Sequence, residues 1–292
     1  MRQRLNNQKR ILVVTAHPDD ETFGMGGTLA KYIAEGSQVT VICATKGEVG
    51  EADTELLAQY PSMAALREAE MRCALQVLGV KDVYFLGYRD SGMPGSQDND
   101  HAHAFIQAPL EKTGREVAFF IRKLKPEVVL TFDPMGGYGH PDHIYTYKTV
   151  EKALEISTDP TVELEGLEPF MPERVYLHTF PRKFMRLVVK LMPLFGKDPT
   201  KFGKNGDINF VEIMRVDFPI HLRIRYTKYA GQRERASACY KSQGGDHQSG
   251  YIISWLQRLF TSSEEYMQYY PVPRSRKKHH DLFYDLDASD GS

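Results

Sequence analysis

Cysteine is scarce in this chain: Cys43, Cys73 and Cys239 are the three among 292 residues. They lie far apart, their number is odd, and no Cys-x-x-Cys occurs. That argues against a disulfide framework and a thiolate zinc knuckle, and it predicts a reducing, cytoplasmic setting. A surplus of charge is missing too. The formal net charge is −1, so no overall field draws the chain to nucleic acid or to a membrane surface. No apolar run reaches membrane-spanning length, which predicts no integral membrane segment. The polar, basic stretch Met1 to Arg10 is followed by an apolar run too short for a signal peptide. Repeats and a clear linker are also lacking. The expectation is one domain over residues 1–292 with a C-terminal elaboration from about residue 182. An apolar fraction of 41% is enough for a sizeable core.

What is present is concentrated in two places. The run Ile11-Leu12-Val13-Val14-Thr15 is rich in branched residues and reads as a buried strand. It is followed at once by His17-Pro18-Asp19-Asp20-Glu21. Adjacent acids at a strand tip repel one another and lose solvation, so folding alone does not favour them. A divalent cation resolves the conflict by neutralising the acids and using the imidazole lone pair. A second run, Val128 to Phe132, leads into Asp133-Pro134-Met135-Gly136-Gly137-Tyr138-Gly139-His140-Pro141-Asp142-His143. In open parallel sheets the strand C-termini line one crevice, so the two clusters can meet there.

The rest of the first half alternates strand and helix patterns. Helices are predicted over 24–35, 62–78 and 115–124, and strands at 39–43 and 83–86, with a long polar loop over 87–114. This is the rhythm of an α/β, Rossmann-like, doubly wound and mostly parallel sheet. The second half is less regular. Strands are predicted at 175–179 and 210–213 and a helix over 222–241, and the basic, apolar stretch 182–204 reads as a decorating helix.

A catalytic zinc site has three N or O protein ligands and an open position. His17 and Asp20 supply two, and His140 or His143 the third. Zinc lowers the pKa of its water from about 15.7 towards about 7. The remaining Asp then serves as general base, worth about 10²–10⁴ in rate. The remaining His stabilises the developing oxyanion, and Asp142 can orient an imidazole through its second nitrogen. Fe(II) suits the same donors. His101, His103, His279 and His280 lie in polar stretches and read as solvated.

Ala16 to Glu21 together with Gly139 to His143 resembles the LmbE-like, PIG-L superfamily of zinc-dependent N-acetylglucosaminide deacetylases. The likeness extends to Thr45 to Glu51, Arg67-Glu68, Tyr88 to Met93 and Tyr240 to Gln243, and is strongest toward the mycothiol-pathway deacetylase and amidase branch. The resemblance implies an LmbE-like fold, zinc on His17, Asp20 and His143, Asp19 as base, and His140 and Tyr138 beside the reacting amide. It also implies Arg67, Asp90 and Glu48 around an amino-sugar conjugate. On the residues alone, Arg67 reads as a helix-surface charge paired with a neighbouring Glu. Tyr240 stands where the family usually has His. The implied reaction is removal of an N-acetyl group by zinc-activated water, with a mycothiol S-conjugate amidase as the alternative. A homo-oligomer is left open. From a different class, Gly24-Met25-Gly26-Gly27 with Glu48 resembles part of a dinucleotide fingerprint, but the third glycine is replaced by Leu29 and three acids intervene.

Overall fold

The computed structural model describes residues 8–179, 186, 189–195, 198–201, 209–245, 262–275 and 277–286. Its strands are β1 Arg10–Thr15, β2 Gln38–Thr45, β3 Asp82–Tyr88, β4 Val128–Phe132, β5 Arg174–Thr179, β6 Leu222–Arg225 and β7 Ser263–Tyr270. The main helices are α1 Asp20–Ala34, α2 Met63–Leu78, α3 Leu110–Leu124, α4 Pro141–Thr158 and α5 Ala230–Ser237. All seven strands join one sheet in the order β3-β2-β1-β4-β5-β7-β6. The first five pair in parallel, and β7 and β6 add an antiparallel edge.

The β1 side chains divide between two cores. Ile11 and Val13 face one with Met25 and Leu29 of α1 and Met71 and Leu75 of α2. Leu12 and Val14 face the other with Val117 and Ile121 of α3 and Val150 of α4. Strand side chains alternate between faces, and a strand covered on both reads as a continuous apolar run. Each such buried side chain contributes about 1.5–3 kcal/mol. The sequence order reverses between β1 and β4, so their C-terminal tips flank the crevice where open α/β sheets bind ligands.

The α2 helix ends where the sequence says it should. Ser62 Oγ accepts the Ala65 amide at 3.2 Å, and Gly79 terminates the helix at φ 89°. At the end of α4 the buried Arg122 guanidinium takes over the orphaned carbonyls, donating to Ile156, Ser157 and Asp159.

Several expectations need correction. Residues 210–213 form a short helix, not a strand, and the predicted helix over 222–241 begins as β6. The α3 helix starts at Leu110, five residues inside the stretch taken for loop and helix boundary. β7 was not foreseen. Its alternation is blurred because Glu264 and Glu265 are both buried, one against α1 and the other against Arg223. Most of the segment 182–204 lies outside the described residues. Cys73 and Cys239 form a disulfide, with S–S 2.07 Å, across 166 residues. It ties α2 to the end of α5, and it removes the premise from which a reducing compartment was read. Nothing in the spacing signals a partner that only the packing of α2 on α5 brings near.

The glycine run in α1 serves packing. A Cβ on Gly27 would lie 2.2 Å from the Tyr226 ring, and the Gly27 amide donates to Glu264. No phosphate cradle is left there. Gly27→Ala should therefore lower stability by about 1–3 kcal/mol through overpacking, despite alanine's better helix propensity. Thermal denaturation checks this, and an unchanged or higher Tm would refute it.

Candidate metal centre and active site

The loop after β1 and the loop after β4 converge. His17 Nδ1 lies 3.3 Å from His143 Nε2. Asp20 Oδ1 lies 3.1 Å from that Nε2, and Asp20 Oδ2 lies 3.6 Å from His17 Nδ1. Metal bonds of about 2.0–2.2 Å at tetrahedral angles put neighbouring donors about 3.3–3.5 Å apart. The three donors therefore match what a small divalent ion requires. His140 approaches the same group, with its ring centroid 4.5 Å from that of His17 and its nitrogen within reach of the pair.

Hydrogen bonds fix which lone pairs face inward. His17 Nε2 donates to Asp142 Oδ2 at 3.1 Å, leaving Nδ1 toward His143. His143 Nδ1 donates to the Gly136 carbonyl at 3.1 Å, leaving Nε2 toward His17. Second partners of this kind are how metal-binding imidazoles are oriented. The His143 ring is also stacked on Phe132 at 4.0 Å. Gly136 permits the approach, since a Cβ there would meet His143 Cβ at 2.7 Å. Asp142 is fully buried and also accepts the Ser91 amide at 2.9 Å. His140 differs from the other two rings. It caps α4 by accepting the Asp142 amide on Nδ1 at 3.1 Å, so its neutral form carries the proton on Nε2.

The electrostatics follow from crowding. Burial alone would lower the His17 pKa, but Asp90, Asp142 and Asp20 outweigh it and hold the ring well above its ordinary value. Burial opposes ionisation of Asp20, yet His143 and His17 keep its carboxyl well below the usual range. Burial and the two neighbouring imidazoles push His140 well below its ordinary value, so this ring is neutral. Burial lifts the Asp19 carboxyl to about 8, with the Arg67 guanidinium pulling the other way.

Asp19 sits just outside the three donors, at the N-terminus of α1, with φ 115°. Its amide donates to Glu21 Oε2 at 3.2 Å, and its carbonyl accepts the Phe23 amide at 2.8 Å. Arg67 is buried, not a surface charge: Nη2 reaches Asp19 Oδ2 at 3.0 Å and also the Pro18 carbonyl. Glu68 meanwhile pairs with Lys46 and Arg72. Asp90 lies 3.5 Å from His17 Nε2, and Glu48 Oε2 accepts the Asp90 amide at 3.0 Å. The Tyr138 ring is 5.1 Å from His143 and 6.0 Å from His140. All ten residues singled out from the sequence thus lie in one neighbourhood. Two supports were not assigned a role there. Glu21 is fully buried and receives the Tyr240 hydroxyl at 2.6 Å, so Tyr240 braces the Asp19 turn through it. A third carboxylate inside the first motif was the available signal.

Residues 12–154 match the PIG-L family, GlcNAc-PI de-N-acetylase. The chain is 34% identical over 291 residues to a 1D-myo-inositol 2-acetamido-2-deoxy-alpha-D-glucopyranoside deacetylase of Streptomyces avermitilis, covering 94% of this chain and 96% of the relative. An enzyme of the same description from Thermobifida fusca is 40% identical over 246 residues, covering 81% and 84%. Among solved structures, N,N'-diacetylchitobiose deacetylase from Pyrococcus horikoshii superposes with a TM-score of 0.61 at 21% identity, covering 92% of this chain and 88% of that one. That last likeness speaks for the fold. Near full-length identity above a third, joined to the paired histidine and aspartate motifs, places this chain in the PIG-L family of de-N-acetylases.

Proposed function

We propose that this chain is a metal-dependent hydrolase that removes the N-acetyl group from an N-acetylglucosamine-type conjugate, with zinc on His17, Asp20 and His143. One observation carries the reading: two imidazoles with outer nitrogens already engaged turn their remaining ring nitrogens toward each other and toward one carboxylate. A zinc ion on those donors supplies Lewis acidity that acidifies water and polarises the amide carbonyl.

The chain's own groups supply the rest. Asp19, in the ionised form that the Arg67 guanidinium favours, takes the proton of the attacking water and passes it to the departing amine. His140 holds its Nε2 proton toward the oxygen that becomes anionic, and Tyr138 adds a second donor on the same side. Arg67 keeps the Asp19 carboxylate turned inward. Asp142 holds His17 in the tautomer that leaves Nδ1 bare. The water oxygen joins the acetyl carbon, the C–N bond breaks, and acetate and a free amine result. Asp90 and Glu48, at the mouth of the site, accept hydroxyls of the sugar. The names of the two relatives point to a glucosamine joined to inositol. Acetate release from N-acetylglucosaminyl inositol by metal-stripped protein, then after adding zinc or Fe(II), tests the proposal. Failure to release acetate with either metal would sink it.

Metal loading should release protons. His17 is held protonated by its carboxylates in the metal-free protein, and that proton occupies the nitrogen the ion needs. The apparent metal affinity must therefore rise as pH rises. Calorimetric titration with zinc in two buffers of different ionisation enthalpy reads the protons directly. Affinity that is flat with pH would contradict this arrangement.

A further inference from the structure

The Cys73–Cys239 disulfide, with Cα atoms 5.8 Å apart, joins the two segments that support the Asp19 turn. Cys73 is exposed on α2, and Cys239 is half-buried just past the end of α5. One turn before Cys73, α2 carries Glu70, which accepts the Ser242 amide at 2.8 Å and the Ser242 hydroxyl at 2.6 Å. Nearer its start, α2 carries Arg67, which reaches the Asp19 carboxylate. The residue after Cys239 is Tyr240, fully buried, with its ring 5.5 Å from that of Phe23. Its hydroxyl donates to Glu21, and Glu21 accepts the Asp19 amide. A line of contacts thus runs from the disulfide through Tyr240 and Glu21 to the backbone of Asp19.

That backbone needs support. Asp19 has φ 115°, a conformation that persists only where its surroundings impose it. The support depends in turn on α5, which is eight residues long and too short to be stable by its own hydrogen bonds. Gln232 ties its start to α2 by donating to the Val77 and Leu78 carbonyls, and Ala236 packs in the core with Met71 and Ala74. Beyond its end the ties are the covalent link and the Ser242–Glu70 pair. Cutting the link leaves the core contacts in place but makes local opening around Tyr240 easier. The link is also reachable, and exposed disulfides are the ones that exchange with solution thiols.

We infer that the Cys73–Cys239 disulfide is a redox switch on the base: Tyr240 is a positioning residue for Asp19, and breaking the link lets Tyr240 leave its seat. The inference rests on the deacetylase reading above. The co-reactant is a low-molecular-weight dithiol. Its thiolate attacks the exposed Cys73 Sγ, the Sγ–Sγ bond breaks, and Cys239 leaves as a thiolate. The second thiol of the reductant then displaces Cys73 from the mixed disulfide and closes a cyclic disulfide. The dithiol's two electrons and two protons end on the cysteine sulfurs, and a small disulfide reverses the exchange. His17 and His143 are oriented by Asp142 and the Gly136 carbonyl, outside this line of contacts, so the ion should stay.

The test reduces the zinc-loaded protein with a phosphine, which becomes a phosphine oxide with oxygen from water and brings no thiol to compete for the metal. Thiols titrated in denaturant should rise from one, Cys43, to three. The kcat for acetate release should fall about 10-fold, with KM within about 2-fold and zinc retained, and oxidation by a small disulfide should restore it. Cys73→Ser with Cys239→Ser should match the reduced enzyme and ignore the phosphine. Tyr240→Phe keeps the buried ring but loses the hydroxyl. It should lower kcat about 10-fold in the oxidised protein, and reduction should then cost less than about 2-fold more, because both changes act through one contact. Full kcat in the reduced protein, loss of zinc on reduction, or a further drop of about 10-fold in Tyr240→Phe overturns the inference. If the oxidised protein releases no acetate, the deacetylase reading fails. Amide hydrogen exchange then still decides the switch. Reduction should speed exchange about 10-fold over residues 17–23 and 239–243 and leave α3 unchanged, and equal exchange in both states refutes it.

Discussion

Asp19→Asn should lower kcat by about 10²–10⁴-fold while leaving metal content unchanged. That is about 3–5 kcal/mol of barrier. The substitution is chosen for the backbone as well as for the chemistry. Asp19 occupies φ 115° at the start of α1, a region that Asn tolerates better than most other residues. Asn also keeps an oxygen for Arg67 Nη2, which lies 3.0 Å from the carboxylate, so the helix start should survive. What disappears is the ability to take a proton. A metal ligand would behave differently, because its loss would empty the site. Metal analysis alongside steady-state acetate release separates the two. Wild-type turnover in Asp19→Asn, or a parallel loss of metal, would remove Asp19 from the role of base.

The second large effect concerns the ion itself. His143→Ala should abolish stable metal binding and turnover together. It deletes a donor that lies 3.3 Å from His17 Nδ1 and 3.1 Å from Asp20, and it leaves two ligands where about three are needed. Asp142→Asn should be graded, not absolute. It keeps the shape of a fully buried side chain that accepts from His17 and the Ser91 amide. It weakens the hold on the His17 tautomer, which for such outer partners costs about 10–100-fold in metal affinity or activity. The order His143→Ala worse than Asp142→Asn, read by competitive chelator titration, is the discriminating result. Equal affinities across wild type and both variants would mean that the ion, if bound, sits elsewhere.

The alternation of strands and helices through residue 132, the capped helix ending at Gly79 and the candidate ligands were legible in the residue pattern, whereas the helix Pro141–Thr158 was not foreseen. The antiparallel edge was not. β6 is four residues long and lies in a stretch that reads as helix, and β7 buries Glu264 and Glu265 because partners from distant segments satisfy them. Arg67 shows the same gap. Its neighbours along the helix favour a surface pair, and only the packing of α2 beneath the first loop turns it inward to Asp19.

Residue identity fixed the chemistry available to this protein: an imidazole with two acids after one apolar strand, and a second histidine cluster after another. Those signals are local, because strand period and motif spacing are written within a dozen residues. Which strands become neighbours is a property of the whole sheet. Pairing β1 with β4 set His17 against His143, and the buried contacts of Asp142 and the Gly136 carbonyl chose the nitrogen each ring offers. The Cys73–Cys239 link arose in the same way, from helix packing that no spacing along the chain encodes. Long-range placement depends on burial and hydrogen bonds shared by segments more than a hundred residues apart, and these exist only once the chain has folded.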